Sequence, residues 1–306
     1  MNWLKAWLDR PGTLRGAALA SLVANIGIVC TGGLVRLTGS GLGCPTWPRC
    51  TDDSYVTTAA MGHHGLIEFG NRTLTSVVSV LAVLALVAAW RQRTAVRPAA
   101  LVLVGVAAQA VLGGITVRMA LNPWTVMAHL LLSMVLIALA FALWDRTRGA
   151  SPRWTAPRAM RGAGVLTTVI AAGVLVLGTI VTGSGPHSGD SKAARTGFDP
   201  ESVSQLHTDA VMVLIGLSVA MWFGLRALGA PLRVTRAAAI LVAAELAQGV
   251  VGFVQYFTGL PWPVVILHML GACLVWTATL NLLARVAAAK PQEPARNEDH
   301  SLASTA

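Results

Sequence analysis

Eight runs of about 20 apolar residues limit how this 306-residue chain can fold more than any other feature. A run of that length crosses the hydrocarbon core of a bilayer as one α-helix, because a spanning segment must satisfy its own backbone polar groups. Charged residues make up only 12% of the chain, against about 25% in a soluble domain. We therefore predict an all-α integral membrane protein with eight transmembrane helices, at residues 17–37, 64–90, 98–118, 124–144, 162–182, 204–226, 235–257 and 263–285.

The net charge of +10 would suggest a nucleic-acid partner, but the positions of the charges favour another explanation. Seventeen of the 23 lysines and arginines lie at the N-terminus or after the second, fourth, sixth and eighth runs. Short loops rich in Lys and Arg stay in the cytoplasm. We expect a multi-pass protein of the bacterial cell (plasma) membrane, with both termini cytoplasmic, lipid around it and no bound nucleic acid.

One stretch of the chain occurs twice. Residues Gln109–His129 and Gln248–His268 align at an offset of 139, which pairs Gly113 with Gly252 and places a Pro-Trp turn in both copies. The offset is too long for a solenoid repeat. It indicates a duplicated half with four helices in each copy, that is, two tandem four-helix bundles. Because four is even, both copies enter the membrane in the same direction, which predicts a pseudo-twofold axis along the membrane normal.

The duplication sets the domain organisation. A TGSG sequence ends the first and the fifth run and opens the two longest outer loops, 38–63 and 183–203. The parts are a cytoplasmic N-terminus, an N-terminal four-helix half, a Pro- and Arg-rich cytoplasmic linker, a C-terminal four-helix half and a disordered polar tail: 1–16, 17–145, 146–161, 162–286 and 287–306.

Two histidines of the second half have the arrangement expected of haem ligands. His207 begins the sixth run and His268 the eighth, at similar depth. Two imidazoles from facing helices of a four-helix bundle can hold a haem iron from both sides. The alternative is that each ring only bonds a backbone carbonyl. Such an iron has no open coordination position, so it could transfer electrons but not bind O₂.

The first half breaks this symmetry. His129 aligns with His268, but Asn71 occupies the position of His207. We therefore expect one iron ligand there, His129, with Asn71 or another group as at most a weak sixth ligand. His64 shares a helix face with Asn71 but lies about 10 Å further along the axis. His64 and its neighbour His63 are otherwise interfacial side chains, and their role is left open.

Charged side chains near the outer end are concentrated in the first half. Arg36, Arg72 and Arg118 end or flank its helices, and their repeat counterparts are uncharged. Guanidinium groups suit carboxylates such as haem propionates, although snorkelling towards the interface would also explain them. Glu68 is the one acid beside the expected iron site. It is a candidate for proton transfer, and a structural pair with Arg72 or Arg36 is the alternative.

Cys44 and Cys50 lie in the first outer loop, on the side where disulfides persist. A bridge between them could hold the loop or relay electrons, and both readings remain open.

Together these residues resemble the haem A synthase family. The resemblance rests on TGSGLGCPTWPRC, on Glu68-Phe69-Gly70-Asn71-Arg72 and on His129, His207 and His268, and it covers roughly 17–285. It implies an enzyme, a haem O oxidoreductase that oxidises a methyl group of haem O to the formyl group of haem A by successive hydroxylations. It also implies haem b on His207 and His268, and haem O in the first half. The family motif is commonly E-x-x-H-R, so Asn71 departs from it.

The substrate implies a haem O synthase and an electron donor as partners, and the sequence leaves a homo-oligomer open. Two other functions share some of these features. A dihaem cytochrome b that only transfers electrons would need a histidine at position 71. A transporter built from parallel repeats would need helices broken near the midplane, whereas the prolines here cluster at helix ends and in loops.

Overall fold

The computed structural model describes residues 2–148 and 154–287, and among these residues all regular secondary structure is helical. The helices are α1 Asn2–Leu8, α2 Pro11–Leu37, a 3₁₀ turn at Ala59–Met61, α3 Gly62–Arg91, α4 Val96–Arg118, α5 Pro123–Arg146, α6 Arg158–Ser184, α7 Pro200–Ala227, α8 Leu232–Phe257 and α9 Trp262–Val286. The linker residues 149–153 and the tail from residue 288 lie outside the described part, so the disorder expected for the tail stays a prediction.

Helices α2 to α9 are long and apolar enough to cross a membrane, which confirms the prediction of eight spans in an all-α protein. Their bounds agree with the predicted runs within a few residues, except at the first. Helix α2 begins at Pro11 rather than at residue 17. Proline fixes φ near the helical value and has no N–H to leave unsatisfied at this position, so it extends the helix beyond the apolar run.

Each half forms a closed ring of four helices. In the first half α2, α3, α4 and α5 pack in chain order and α5 returns to α2; in the second half α6, α7, α8 and α9 do the same. Within the described residues α3 does not pack against α5, nor α7 against α9, so each of these pairs is diagonal in its ring. The rings contact one another through α2, α5, α6 and α9. Neighbour relations therefore match between the halves, while the twofold axis itself stays a prediction.

Small residues let the helices approach closely. Ala18, Ala82, Ala85, Ala88 and Ala99 are fully buried where helices of the first ring meet. This is how membrane helices associate, because lipid provides no hydrophobic driving force between them. The two rings are also joined by a hydrogen bond, in which Trp276 Nε1 of α9 donates to the Met134 carbonyl of α5 at 3.0 Å. One buried apolar cluster extends from the first ring into α6, α7 and α9, and a second, separate cluster lies between α7, α8 and α9.

The repeated Pro-Trp turns have the same backbone form. Two consecutive residues have left-handed φ values in each, +49° and +58° at Ala120 and Leu121 and +77° and +61° at Gly259 and Leu260. Leucine adopts this conformation only at a cost of about 1–2 kcal/mol. Helix α5 then begins at Pro123 after the capping residue Asn122, and α9 begins at Trp262 with Pro261 as its N-cap, so a proline lies at the start of each helix.

Candidate haem sites at the loop end of the two bundles

Three histidines lie at matching depth in the two rings, and Asn71 lies somewhat deeper. Helices α3, α5, α7 and α9 all begin at one end of the molecule, called here the loop end. His129 and His268 lie six residues after the first residues of α5 and α9, and His207 lies seven after that of α7. This depth is roughly 10 Å below the helix starts. Asn71 of α3 lies about one turn deeper from its own helix start.

The diagonal relation of the helices pairs these side chains across each ring. Asn71 on α3 is paired with His129 on α5, and His207 on α7 with His268 on α9. The imidazoles of His207 and His268 are close enough for the charge of one to act on the other. Diagonal helices with inward-facing ligands are the usual setting for a cofactor inside a four-helix bundle.

A glycine of a neighbouring helix faces each of these four side chains. A Cβ atom built on the glycine would lie 3.1–3.3 Å from the imidazole Cε1, which is closer than ordinary carbon contacts of about 3.5–4.0 Å: Gly113 against His129, Gly178 against His207, and Gly252 against His268. Gly32 faces Asn71 Nδ2 at a looser 3.9 Å. The imidazoles of the three histidines therefore lie directly on the backbone of the adjacent helix.

The histidines have the chemical character that haem ligation requires. The Nδ1 atoms of His129, His207 and His268 are buried, and none makes a hydrogen bond of normal geometry among the described residues, although the Val174 carbonyl lies beside the His207 imidazole. An unpaired buried polar atom is costly, and each one in a folded protein calls for an explanation. Neutral imidazoles in a low-dielectric bundle suit the haem iron as axial ligands. The residues present thus fit a haem in each half.

Asn71 differs from its counterpart His207 in being bonded to protein. Its Oδ1 atom accepts a hydrogen bond of 2.7 Å from the Thr31 hydroxyl of α2. The asparagine oxygen is the only atom of that side chain that could act as a ligand, and Thr31 engages it. Nothing in the sequence pattern indicated this partner, which lies 40 residues away.

Glu68 joins helix α3 to the segment 38–61, called here the cysteine loop. The Glu68 side chain is only 5% exposed. Its Oε2 accepts a hydrogen bond of 2.7 Å from the Cys44 backbone N–H. Its Oε1 accepts hydrogen bonds from Arg72, of 2.5 Å from Nη2 and 3.1 Å from Nε. The ion pair that the sequence allowed as an alternative is therefore formed.

Arg72 and Arg118 also hold the cysteine loop. The guanidinium of Arg72 donates to the carbonyls of Cys44 and Thr46 at 2.8 and 2.9 Å. Arg118 donates to the Trp47 carbonyl at 3.0 Å and lies over the Trp47 ring. Arg72 also donates to the Arg49 carbonyl at 3.2 Å, so its contacts engage all five N–H groups of the guanidinium and argue against the propionate role predicted for it. Arg118 makes one hydrogen bond among the described residues, and its propionate role stays a prediction.

The loop itself is closed by a disulfide between Cys44 and Cys50, both of which are almost completely buried. His64 Nδ1 lies 2.9 Å from the Ser40 hydroxyl at the start of the loop, and its ring contacts that of His63. His64 is thus a loop contact in this structure.

Arg36 lies at the boundary between the two rings. Its Nη2 donates to the Thr182 carbonyl near the C-terminus of α6, and its Nε is buried without a partner among the described residues. Arg36 lines a groove together with Leu121, Met127 and Thr179. It therefore joins the halves, in addition to the substrate-haem role predicted for it.

Comparison with known proteins shows the family of the chain. A match to the family described as cytochrome oxidase assembly protein covers residues 15–189, which is more than half of the chain. The chain belongs to that family. The haem A synthase of Methylobacterium sp. (strain 4-46) is 31% identical over 161 residues, which are 46% of this chain and 44% of that protein. The haem A synthase of Alkalihalophilus pseudofirmus is 32% identical over 83 residues, 26% of this chain and 27% of that protein. The chain thus spans less than half the length of these relatives in the aligned regions.

The match to the cytochrome oxidase assembly family contains the first ring and α6 but ends before His207 and His268. The second site therefore depends on the internal repeat and on the geometry described above. The second ring also contains a buried polar pair: the Ser218 hydroxyl donates to Glu245 Oε1 at 2.8 Å, and Glu245 is 3% exposed. Asp209 of α7 is exposed and accepts a hydrogen bond from Gln205, because its position on the helix turns it away from the ring.

Two glutamines of this family member were visible in the repeat but had no assigned role. Gln109 Nε2 donates to the His129 carbonyl at 3.1 Å, and Gln248 Nε2 donates to the His268 carbonyl at 2.7 Å. Their identical place in the repeat was the signal that could have identified them.

Proposed function

We propose that this chain is a haem A synthase, which oxidises the methyl group of haem O to the formyl group of haem A for assembly of a terminal oxidase. The observation that carries the proposal is the unequal pair of diagonal positions within one family member. One ring pairs His207 with His268, and the other pairs His129 with Asn71. A ring with two ligands suits electron transfer, and a ring with one suits a substrate.

In the proposal the second ring holds haem b through His207 and His268. When bound, haem b supplies one-electron transfer. The chain's part is to present two neutral imidazoles at one depth and to keep water away from them, which the burial of both Nδ1 atoms supports. His207 and His268 would both hold the haem iron, so this site would serve electron transfer and not oxygen binding.

The first ring receives haem O as the substrate, with His129 as its protein ligand. Asn71 leaves the opposite side without a strong donor, since its amide oxygen is bonded to Thr31. Asparagine thus keeps that side of the site free of an imidazole while its own polar atom stays satisfied. This difference assigns oxidation of the methyl group to the first half.

Glu68 has two parts in the proposal. Its contacts with the Cys44 N–H and Arg72 position the cysteine loop at the loop end of the first ring. A buried carboxylate there could also take up a proton released as the methyl group is oxidised. The disulfide supports the loop in either case. Arg36 and Arg118 are available to the propionates of haem O, whereas the contacts of Arg72 with Glu68 and the loop carbonyls engage all of its N–H groups.

The topology and partners of the proposal follow from the charge distribution and the substrate. Both termini and the linker lie in the cytoplasm of a bacterial cell, and the loop end faces outwards. The enzyme receives haem O from a haem O synthase and electrons from a separate donor.

Pigment analysis tests the proposal directly. The full chain is expressed in cells that make haem O but no haem A, and extracted haems are separated by chromatography. Haem A in the extract, together with haem b in the purified protein, is the expected result. Haem b without any haem A in cells containing haem O would instead favour an electron-transfer cytochrome.

A further inference from the structure

Gln109 and Gln248 donate to the carbonyls of His129 and His268, although these carbonyls need no further hydrogen bond. Inside an α-helix the carbonyl of residue i already accepts the N–H of residue i+4. The bonds from Gln109 and Gln248 therefore go to a second lone pair of carbonyls that are paired within their own helices. Their effect is to fix one helix against the next at the level of the histidine.

Each glutamine is followed four residues later by the glycine on which the imidazole lies. Residues i and i+4 share a helix face, so Gln248 and Gly252 of α8 both face His268, and Gln109 and Gly113 of α4 both face His129. The histidine is thus held at two points by one neighbouring helix, at its carbonyl by the amide and at its ring by the glycine backbone.

The space at these positions is specific. Gly249, adjacent to Gln248, has nothing within 4 Å of where its Cβ would be. Gly271, three residues after His268, provides the slot into which the Gln248 amide packs, because a Cβ there would collide with that amide. The glutamine is therefore fitted between α8 and α9 and is not free to leave the carbonyl.

We propose that these two Gln-x-x-x-Gly pairs are positioning residues that set the rotation of the histidine helix, and with it the plane of the imidazole at the haem iron. The inference rests on the proposed function, since it assigns an iron to His268 and His129. Groups behind a metal ligand commonly orient it and tune the metal. Here they act through the main chain of the ligand.

The two Gln-x-x-x-Gly pairs differ in their hydrogen bonding. Gln248 donates to one acceptor, the His268 carbonyl, at 2.7 Å. Gln109 divides its amide between the His129 carbonyl and the Ser133 hydroxyl, and Ser133 itself donates to the same carbonyl. Loss of the glutamine should therefore disturb His268 more than His129, where Ser133 remains as a second tie.

The test uses the haem b-loaded full chain with Gln248→Leu, Gly252→Ala and the control Gly249→Ala. Low-spin electron paramagnetic resonance reports the ligand planes, and transfer of haem to apomyoglobin reports retention. We expect a shifted g-max and roughly tenfold faster haem loss in the first two variants, and wild-type behaviour in the control. If Gly252→Ala does not fold, Gln248→Leu carries the test, with size-exclusion chromatography to show that it folds.

Unchanged g-max and haem retention in folded Gln248→Leu would overturn the inference while leaving the proposed function intact. Failure of the proposed function looks different: the wild-type chain would then lack a bis-imidazole signal, or would keep it in His268→Ala.

Discussion

The two rings have the same helix order, matching Pro-Trp turns and a glutamine and a glycine beside the corresponding histidine, yet they carry different chemistry at one position. Where α7 presents His207, α3 presents Asn71 bonded to Thr31. Around that position the first ring also gains Glu68, Arg72 and a disulfide-closed loop, none of which has a counterpart in the second. A duplicated scaffold can thus keep its packing and change function through a few polar side chains at one end.

Removing a histidine from either ring should have the largest effect, and the two rings should respond differently. His268→Ala or His207→Ala takes an axial ligand from the proposed haem b site, so the purified protein should lose its low-spin haem b spectrum. His129→Ala should keep that spectrum and lose haem A formation. Absorption spectra of the three variants check this, and loss of haem b in His129→Ala would contradict the division between rings.

Glu68→Gln should reduce haem A formation while haem b remains. If Glu68 transfers a proton, the expected loss of rate is roughly 10²–10⁴-fold, with haem O or a hydroxylated intermediate accumulating. Glutamine can still accept the Cys44 N–H, so the loop contact is partly kept. Chromatography of extracted haems measures the products, with Glu245→Gln of the second ring as the matched buried acid. Normal haem A output from Glu68→Gln would leave Glu68 a purely structural role.

Asn71→His should make the first ring resemble the second. An imidazole at position 71 would face His129 across the ring as His207 faces His268, so bound haem O should change to a six-coordinate low-spin spectrum. Haem A formation should fall because the open side is closed. A spectrum identical to that of the parent would argue that position 71 does not face the substrate haem.

Opening the disulfide should affect only the first ring, and moderately. Cys44→Ser with Cys50→Ser removes a short cross-link, whose contribution in the chain-entropy model is ~2 kcal/mol. We expect a lower melting temperature with haem b retained, because the loop is still bonded to Glu68 and Arg72. Thermal unfolding followed by circular dichroism, with and without reductant, tests this, and the haem b absorption band reports retention. Loss of haem A formation without a change in melting would favour a redox relay.

The smallest effect concerns the second outer loop, which has no disulfide. Partial burial, and then the positive charges of Arg36 and Arg195, lower the pKa of His187. The unfolded chain therefore binds more protons than the folded one below a pH of about 6.5. The contribution of neutral His187 to the free energy of unfolding is thus complete above that pH and is lost as the pH falls through the folded pKa. His187→Gln should flatten the dependence of melting temperature on pH between about 5 and 7. Equal slopes in wild type and variant would remove His187 from this role.

Much of the site could be read from the repeat. The alignment placed Asn71, His129, His207 and His268 at equivalent positions. In the structure the three histidines lie at similar depth and Asn71 about one turn deeper from its helix start, on two pairs of diagonal helices. Helix periodicity and the even number of spans per half were sufficient for that. The contacts of Thr31 with Asn71, of Gln248 with His268 and of Arg36 with α6 could not be read in this way, because each depends on the rotation of one helix against another.

The amino-acid sequence alone determined the eight helices and, apart from the start of α2, their bounds within a few residues. It could do so because a bilayer obliges each span to bond its own backbone, which makes the signal local. Only the tertiary structure decided how the polar side chains pair. Arg36 donates to a carbonyl of the other ring, 146 residues away. Arg72 donates to the Cys44 carbonyl of the cysteine loop, 28 residues before it. A guanidinium or amide bonds whichever acceptors the packed helices place beside it, and that neighbourhood exists only after the rings have closed.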